Sequence, residues 1–174
     1  VTFINLEGTR PILIEIQALV DKSMLPNPKR LTVGTDAQRL TMLLAILHRH
    51  VTLSTYDQDV FLNAVGGIKI NETASDLAVL IAIVSSMTNQ AVSSKTAIFG
   101  EVGLGGEIRP VSRGQERIKE ASKLGFKRII VPLKNKASDI PDVEIIGVDN
   151  LRDAVKVVFG SNRVKNDEQI YPDE

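Results

Sequence analysis

The sequence predicts a single mixed α/β domain, on three observations. Short runs rich in Val and Ile alternate along the chain with segments of helical periodicity. The chain opens on two adjacent strand-like runs around a tight turn, so part of the sheet is antiparallel. Its 174 residues, 43% hydrophobic and 24% charged, suffice for one proper core and are ordinary for a globular protein. Aromatic residues make up 4% and Trp is absent, so Ile, Leu and Val carry most of the burial.

The elements follow in order. "TFINLEGTRPILIEIQALV" reads as two strands around Gly8–Thr9–Arg10–Pro11, with Gly8 free to take positive φ and Pro11 beginning the second strand. "SMLPNPKR" reads as a loop. In "TDAQRLTMLLAILHRH", Leu40, Leu43, Leu44 and Leu47 mark a helix that Thr35 or Asp36 can cap. "DVFLNAVGGIKI" reads as a strand broken at Gly66–Gly67. A second helix is expected over about 74–87, and "TAIFGEVGLGGEIRPV" as a hairpin turning near Gly105–Gly106. A third helix is expected over about 113–124, ended by Gly125. "KRIIVP" and "VEIIGV" are short buried strands, and "NLRDAVKVVF" closes the domain as a helix capped by Asn150. The domain is thus expected over 1–160, followed by a flexible polar tail over 161–174.

Composition narrows the function classes. With no cysteine, disulfides and thiolate zinc sites are excluded within the chain, and a reducing compartment is favoured. His48 and His50, two apart on a helix, point in different directions and make a poor metal pair. No run of 18 apolar residues suggests a membrane span, and Val1 does not begin a signal peptide. A start without Met, directly in a strand, suggests a piece of a larger protein. Net charge is zero but uneven: residues 107–136 hold nine Lys/Arg against three Glu, leaving that window at +6 and the remainder at −6.

Two features carry candidate chemistry. Ser75 stands at the head of "NETASDLAVL" with Lys119 downstream on another helix, which raises a Ser–Lys hydrolase. A serine nucleophile needs a base within about 3 Å and an oxyanion hole. The competing reading is a capping box, with Thr73 accepting from the Asp76 amide and the Asp76 carboxylate reaching back. The second feature is the basic run Arg109, Arg113, Arg117, Lys119, Lys123, Lys127, Arg128, Lys134 and Lys136. Such a run suits nucleic-acid phosphates; it also suits a solvated face, with Glu116 and Glu120 interspersed. No aromatic residue interleaves with it, which argues against stacking of single-stranded bases. "GEVGLGGE" fits neither phosphate-loop pattern and is followed by strand residues rather than a helix. Glu7, Glu15, Asp57, Asp59 and Glu101 show no spacing that pairs carboxylates.

The blocks "EGTRPILIEIQALV", "GTDAQRLTMLLAILHRH", "VGGIKINETASDLAVLIAIVSS" and "FGEVGLGGEIRPVSRGQERIKEASKLGFKRIIVP" together resemble the C-terminal domain of the RadA (Sms) family of bacterial DNA repair proteins. That domain is in turn similar to the proteolytic domain of Lon proteases. The resemblance implies a Lon-protease-like fold of the ribosomal protein S5 domain 2 type. Aligned with the Lon motifs, the nucleophile position falls on Ala74 and the catalytic lysine position on Arg117, so both members of the dyad are replaced. Alanine offers no nucleophile, and a guanidinium does not deprotonate to act as a base.

The resemblance therefore implies no catalytic residue and a non-catalytic, DNA-binding, ring-forming domain. The parent would be a hexameric, DNA-dependent ATPase that promotes branch migration of recombination intermediates in the bacterial cytoplasm, with the recombinase RecA as a partner. DNA contacts are expected from Arg109, Arg113, Arg117, Lys119 and Lys123. ATP, magnesium and zinc are expected in upstream domains, with no cofactor in this chain. The alternatives are a Ser–Lys peptidase using Ser75 and Lys119, and an oligomerisation scaffold without DNA contact.

Overall fold

The computed structural model describes residues 1–160; the flexible tail expected over 161–174 lies outside the described residues. Strands β1 (Thr2–Glu7) and β2 (Arg10–Lys22) form the expected antiparallel hairpin, Glu7 pairing with Arg10 across a two-residue turn. A short strand β3 (Arg30–Val33) follows, where no strand is expected from the sequence and Arg30 is assigned to a loop. Its four residues carry no apolar run; the register is held partly by the Arg30 guanidinium, which donates to the carbonyls of Gln58 and Thr55.

Helix α1 (Ala37–Val51) is capped by Asp36, whose carboxylate accepts from the Arg39 amide at 2.8 Å. Leu40, Leu43, Leu44, Ile46 and Leu47 form its buried stripe. Strand β4 (Gln58–Ala64) pairs antiparallel to β2 and parallel to β3. The break expected at Gly66–Gly67 is present, and β4 ends at Ala64, with no strand resuming in "IKI". Gly66 and Gly67 both take positive φ, and the Ile70 amide bonds the Gly34 carbonyl instead of a ladder partner.

A single 3₁₀ turn over Thr73–Ser75 leads into α2 (Asp76–Thr88), which is buried from Asp76 to Val84 without a break. An apolar surface all round explains why this helix shows no polar face in sequence. Strand β5 (Thr96–Ile98) joins the main sheet beside β1, whereas the hairpin expected to include it is built only from β6 (Glu101–Val102) and β7 (Ile108–Arg109). Helix α3 (Gly114–Lys123) closes with Phe126 N–H bonding the Ala121 carbonyl and Gly125 N–H the Ser122 carbonyl, the paired Schellman bonds that a glycine at Gly125 permits. Strands β8 (Arg128–Pro132) and β9 (Glu144–Val148) and helix α4 (Leu151–Phe159) complete the domain, with Asn150 capping α4 as expected.

The seven-stranded sheet runs β3-β4-β2-β1-β5-β8-β9, antiparallel around β2 and parallel elsewhere. Burial divides it in two. Strand β5 and the stretch Ile129–Pro132 are buried at every position, the signature of strands covered on both faces. Strands β2 and β4 instead alternate, with Ile14, Ile16, Val20, Val60, Leu62 and Ala64 turned inward. Their outer face is not wholly polar. Leu19 pairs with Phe61 and Phe61 with Leu31, laying an apolar line across three strands, with Leu19, Leu31 and the nearby Val33 all more than half exposed.

Candidate functional site

Of the two positions that align with a Lon dyad, Arg117 binds the carboxylate of Glu72, which lies two residues before the other, Ala74. Ala74 is buried in the 3₁₀ turn, its carbonyl accepting from the Gly100 amide at 2.8 Å. Arg117 projects inward from α3 and is 0% exposed. Its guanidinium donates to both oxygens of Glu72, at 2.6 and 2.8 Å, to the Ile4 carbonyl at 2.7 Å and to the Ser112 carbonyl at 3.0 Å. It also lies 5.7 Å from the centroid of the Phe99 ring. Glu72 in turn accepts from the Leu6 amide at 2.9 Å, so one fork ties α3, β1 and the approach to α2 together. Arg117 therefore cannot touch DNA as expected from sequence: a cation in a basic run was read as exposed, but its side chain points into the core.

The expected capping box at α2 is also absent. Thr73 donates its hydroxyl to Glu101, and the Asp76 carboxylate turns to Arg39 and to the Val102 amide, at 3.0 Å from the latter. Arg39 grips both oxygens of Asp76 and also reaches the Val102 carbonyl at 3.1 Å. Burial pushes the Asp76 carboxyl above its ordinary range, although both partners pull it down; hydrogen bonding to Asp76 holds Arg39 more firmly protonated. Sequence reasoning missed this pair. The available signal was a carboxylate at the head of an unbroken apolar helix, which must find a buried partner.

A cleft of about 710 Å³ runs beside these groups, lined in part by Arg39, Lys69, Glu72, Ser75 and Asp76. Ser75 is 7% exposed and donates its hydroxyl to the Glu72 carbonyl at 3.1 Å. Lys119 follows Arg117 by two positions, about 200° around α3, and is exposed on the opposite side from the buried fork. The structure does not bring Ser75 and Lys119 together.

The remaining expected cations lie at the surface. Arg109 is 60% exposed but engaged with Glu107 at 3.4 Å and Glu101 at 3.9 Å. Arg113, Lys119 and Lys123 are exposed, and Glu116 and Glu120 alternate with the two lysines along α3. Among the described residues no group of three His, Cys, Asp or Glu side chains could hold a metal ion, and no helix is long and apolar enough to cross a membrane.

Comparison with known proteins bears on these features. A family model described as subunit ChlI of Mg-chelatase matches residues 41–135. The chain is 56% identical over 154 residues to DNA repair protein RadA of Pseudomonas aeruginosa, covering 88% of the chain and 34% of that protein. It is 57% identical over 153 residues to DNA repair protein RadA of Haemophilus influenzae, and 56% over 152 residues to that of Escherichia coli K12, covering 87% of the chain and 33% of each relative. The resemblance read from the sequence motifs holds over most of the described fold. The chain spans about a third of the length of the curated relatives it matches.

Proposed function

Because the chain belongs to the family described as subunit ChlI of Mg-chelatase, and is similar over most of its length to bacterial DNA repair proteins, we propose that it serves DNA repair as a non-catalytic DNA-binding and ring-forming domain. The observation that carries this reading is the fate of the dyad positions. Ala74 has no nucleophile, and four of the five N–H donors of the buried Arg117 guanidinium are engaged with Glu72, Ile4 or Ser112. What remains accessible is charge: Arg113, Lys119 and Lys123 stand free of ion pairs among the described residues. Exposed cations without acidic partners bind phosphates with release of counterions, which needs no catalytic group.

Self-association has separate support. The apolar line Leu19–Phe61–Leu31 reaches the edge strand β3, and an exposed apolar edge is a natural pairing surface. On this reading the whole protein is a cytoplasmic, hexameric, ATP-driven enzyme acting on recombination intermediates and promoting branch migration, with RecA as a partner. ATP, magnesium and zinc then belong to parts of the longer relatives that this chain does not span.

Fluorescence anisotropy with a labelled duplex, repeated over a salt series, tests the DNA reading. Binding at low salt with log affinity falling linearly in log salt is expected. Undetectable binding at low salt overturns it. Cleavage of an unstructured polypeptide that Ser75→Ala abolishes would overturn the non-catalytic part.

A further inference from the structure

We propose that the polypeptide preceding Val1 in the longer protein extends β1 along the free edge of β2 as far as Ala18, then crosses the outer face of the sheet and fills the groove over Leu19 and Phe61. Such a path seats the domain on the rest of the protein and stands apart from the DNA-binding reading. About two thirds of each relative lies outside the stretch shared with this chain. Polypeptide preceding Val1 takes its path from the start of β1.

The edge of β2 is left open at one step. The Val1 amino group donates to the Ile16 carbonyl at 3.0 Å, and the Ile16 amide to the Val1 carbonyl at 2.7 Å. Peptide groups alternate in direction along a strand, so Ala18 and Val20 face the same side as Ile16. The Val65 amide bonds the Glu15 carbonyl on the opposite side, as this alternation requires. Val20 has a substitute for a ladder partner, its amide donating to Ser86 Oγ at 2.9 Å. Among the described residues Ala18 has none on that side. In the register of the hairpin, the second residue before Val1 stands opposite Ala18. Ser86 ends the ladder there, because the next amide along the edge is already taken.

The surroundings of Val1 fit a chain passing through. Burial holds its amino group below the ordinary value of 8.0, with Glu15 opposing. A peptide N–H makes the same bond to Ile16 without burying a charge. A groove of about 570 Å³ opens where β1 stops, lined by Val1, Ala18 and Ser86 at one end and by Leu19, Phe61 and Leu31 across the outer face. Leu19 and Leu31 are each more than half exposed, so the face is uncovered within residues 1–160. Helix α2 packs on the inner side of β2 and closes it, so a chain leaving the ladder at Ser86 turns outward, onto the apolar line. The occupant is therefore an extended segment with apolar side chains at alternate positions, which removes this face from water. It covers side chains on the face of the sheet and leaves the backbone edge of β3 free for pairing between copies.

Amide exchange followed by NMR compares the 174-residue chain with the same chain carrying a native extension before Val1. An extension of about ten residues is long enough to cross three strands spaced about 4.8 Å apart. The Ala18 amide is expected to exchange about tenfold more slowly in the extended chain. The Val20 amide, bonded to Ser86, is expected to be protected in both. The companion variant is Leu19→Thr/Leu31→Thr. Both positions are exposed and threonine suits a strand, so the urea midpoint of the 174-residue chain is expected to hold. Extension is expected to raise that midpoint in the parent and not in the variant. Equal exchange of Ala18 in the two chains overturns the proposal. So does protection of Ala18 that grows with protein concentration, which would put a second copy in the groove. A midpoint gain that survives in the variant overturns the path across the outer face. The exchange comparison needs no substitution and decides whether or not the variant folds.

Discussion

The Arg117 guanidinium and the Glu72 carboxylate meet as a two-point fork, NH1 to Oε1 at 2.6 Å and NH2 to Oε2 at 2.8 Å, with the arginine wholly buried and the glutamate a quarter exposed. Planar groups matched in this way are specific in geometry as well as charge. The same arginine also satisfies the Ile4 and Ser112 carbonyls, so the fork is one corner of a network joining three elements.

Removing one side of the fork strands the other. Arg117→Ala is expected to destabilise the domain by about 3–5 kcal/mol, the range for breaking a buried pair from one side. Arg117→Lys keeps the charge but cannot reproduce the fork, and is expected to cost about 1–3 kcal/mol. Urea unfolding followed by circular dichroism measures both. Duplex affinity of the Arg117→Ala protein, measured where it is folded, is expected to match the parent, and a salt slope reduced by about one unit would return Arg117 to the DNA surface.

The Asp76 carboxyl has its pKa raised from an ordinary 3.8, chiefly by burial. The folded state therefore binds the proton more tightly than the unfolded chain. The contribution of Asp76 to stability is greatest below pH 3.8, falls as pH rises toward the raised value, and is flat above it. Asp76→Asn removes this titration. The melting temperature of the parent minus that of the variant is expected to fall as pH is raised through the window and then to hold level. A difference that rises with pH there would mean that Arg39 and the Val102 amide outweigh burial.

Gly114→Ala inverts the usual sign of a glycine-to-alanine change in a helix. Alanine is intrinsically better there by about 0.5–1 kcal/mol. Its Cβ would nevertheless fall 2.6 Å from Asn135 Nδ2 and 2.8 Å from Asn135 Cγ, on a side chain tied twice to Val111. A net loss of about 1–3 kcal/mol is expected in chemical denaturation. A stabilised variant would show that Asn135 can leave Val111 at little cost.

Helix α2 and the end of α3 offer a contrast in burial. Leu80 is 0% exposed and Leu124 is 53% exposed. Leu80→Ala is expected to cost about 2–5 kcal/mol, and Leu124→Ala about 0.5 kcal/mol or less. Equal costs in the same unfolding assay would contradict the packing described for α2.

Legibility in the sequence followed local signals. The first hairpin, a cap at Thr35 or Asp36, the cap at Asn150 and the stop at Gly125 all depend on residues within a few positions and are readable, the structure choosing Asp36. Strand β3 was not, because its place is fixed by Arg30 reaching Thr55 and Gln58, far along the chain. The same limit explains the site. Arg117 lies in a stretch of cations, and charge density says nothing about which side chain turns inward. Its position on α3 beside Ile118 and Ala121, both buried, gives only the helix's inner side. Glu72 as its partner, 45 residues away, is visible only in three dimensions.

The fork also constrains which sequences this chain can reach by single substitutions. A serine at position 74 gains nothing while residue 117 remains a guanidinium, which stays protonated and cannot accept the serine's proton. A lysine at position 117 has no nucleophile to activate while residue 74 remains alanine, and it loosens the network around Glu72. Each change alone brings no chemistry, and one of them weakens the fold. A working serine–lysine pair therefore lies across a valley that selection on single mutants does not cross. The burial of one arginine thus keeps a serine–lysine pair at these two positions out of reach of single substitutions.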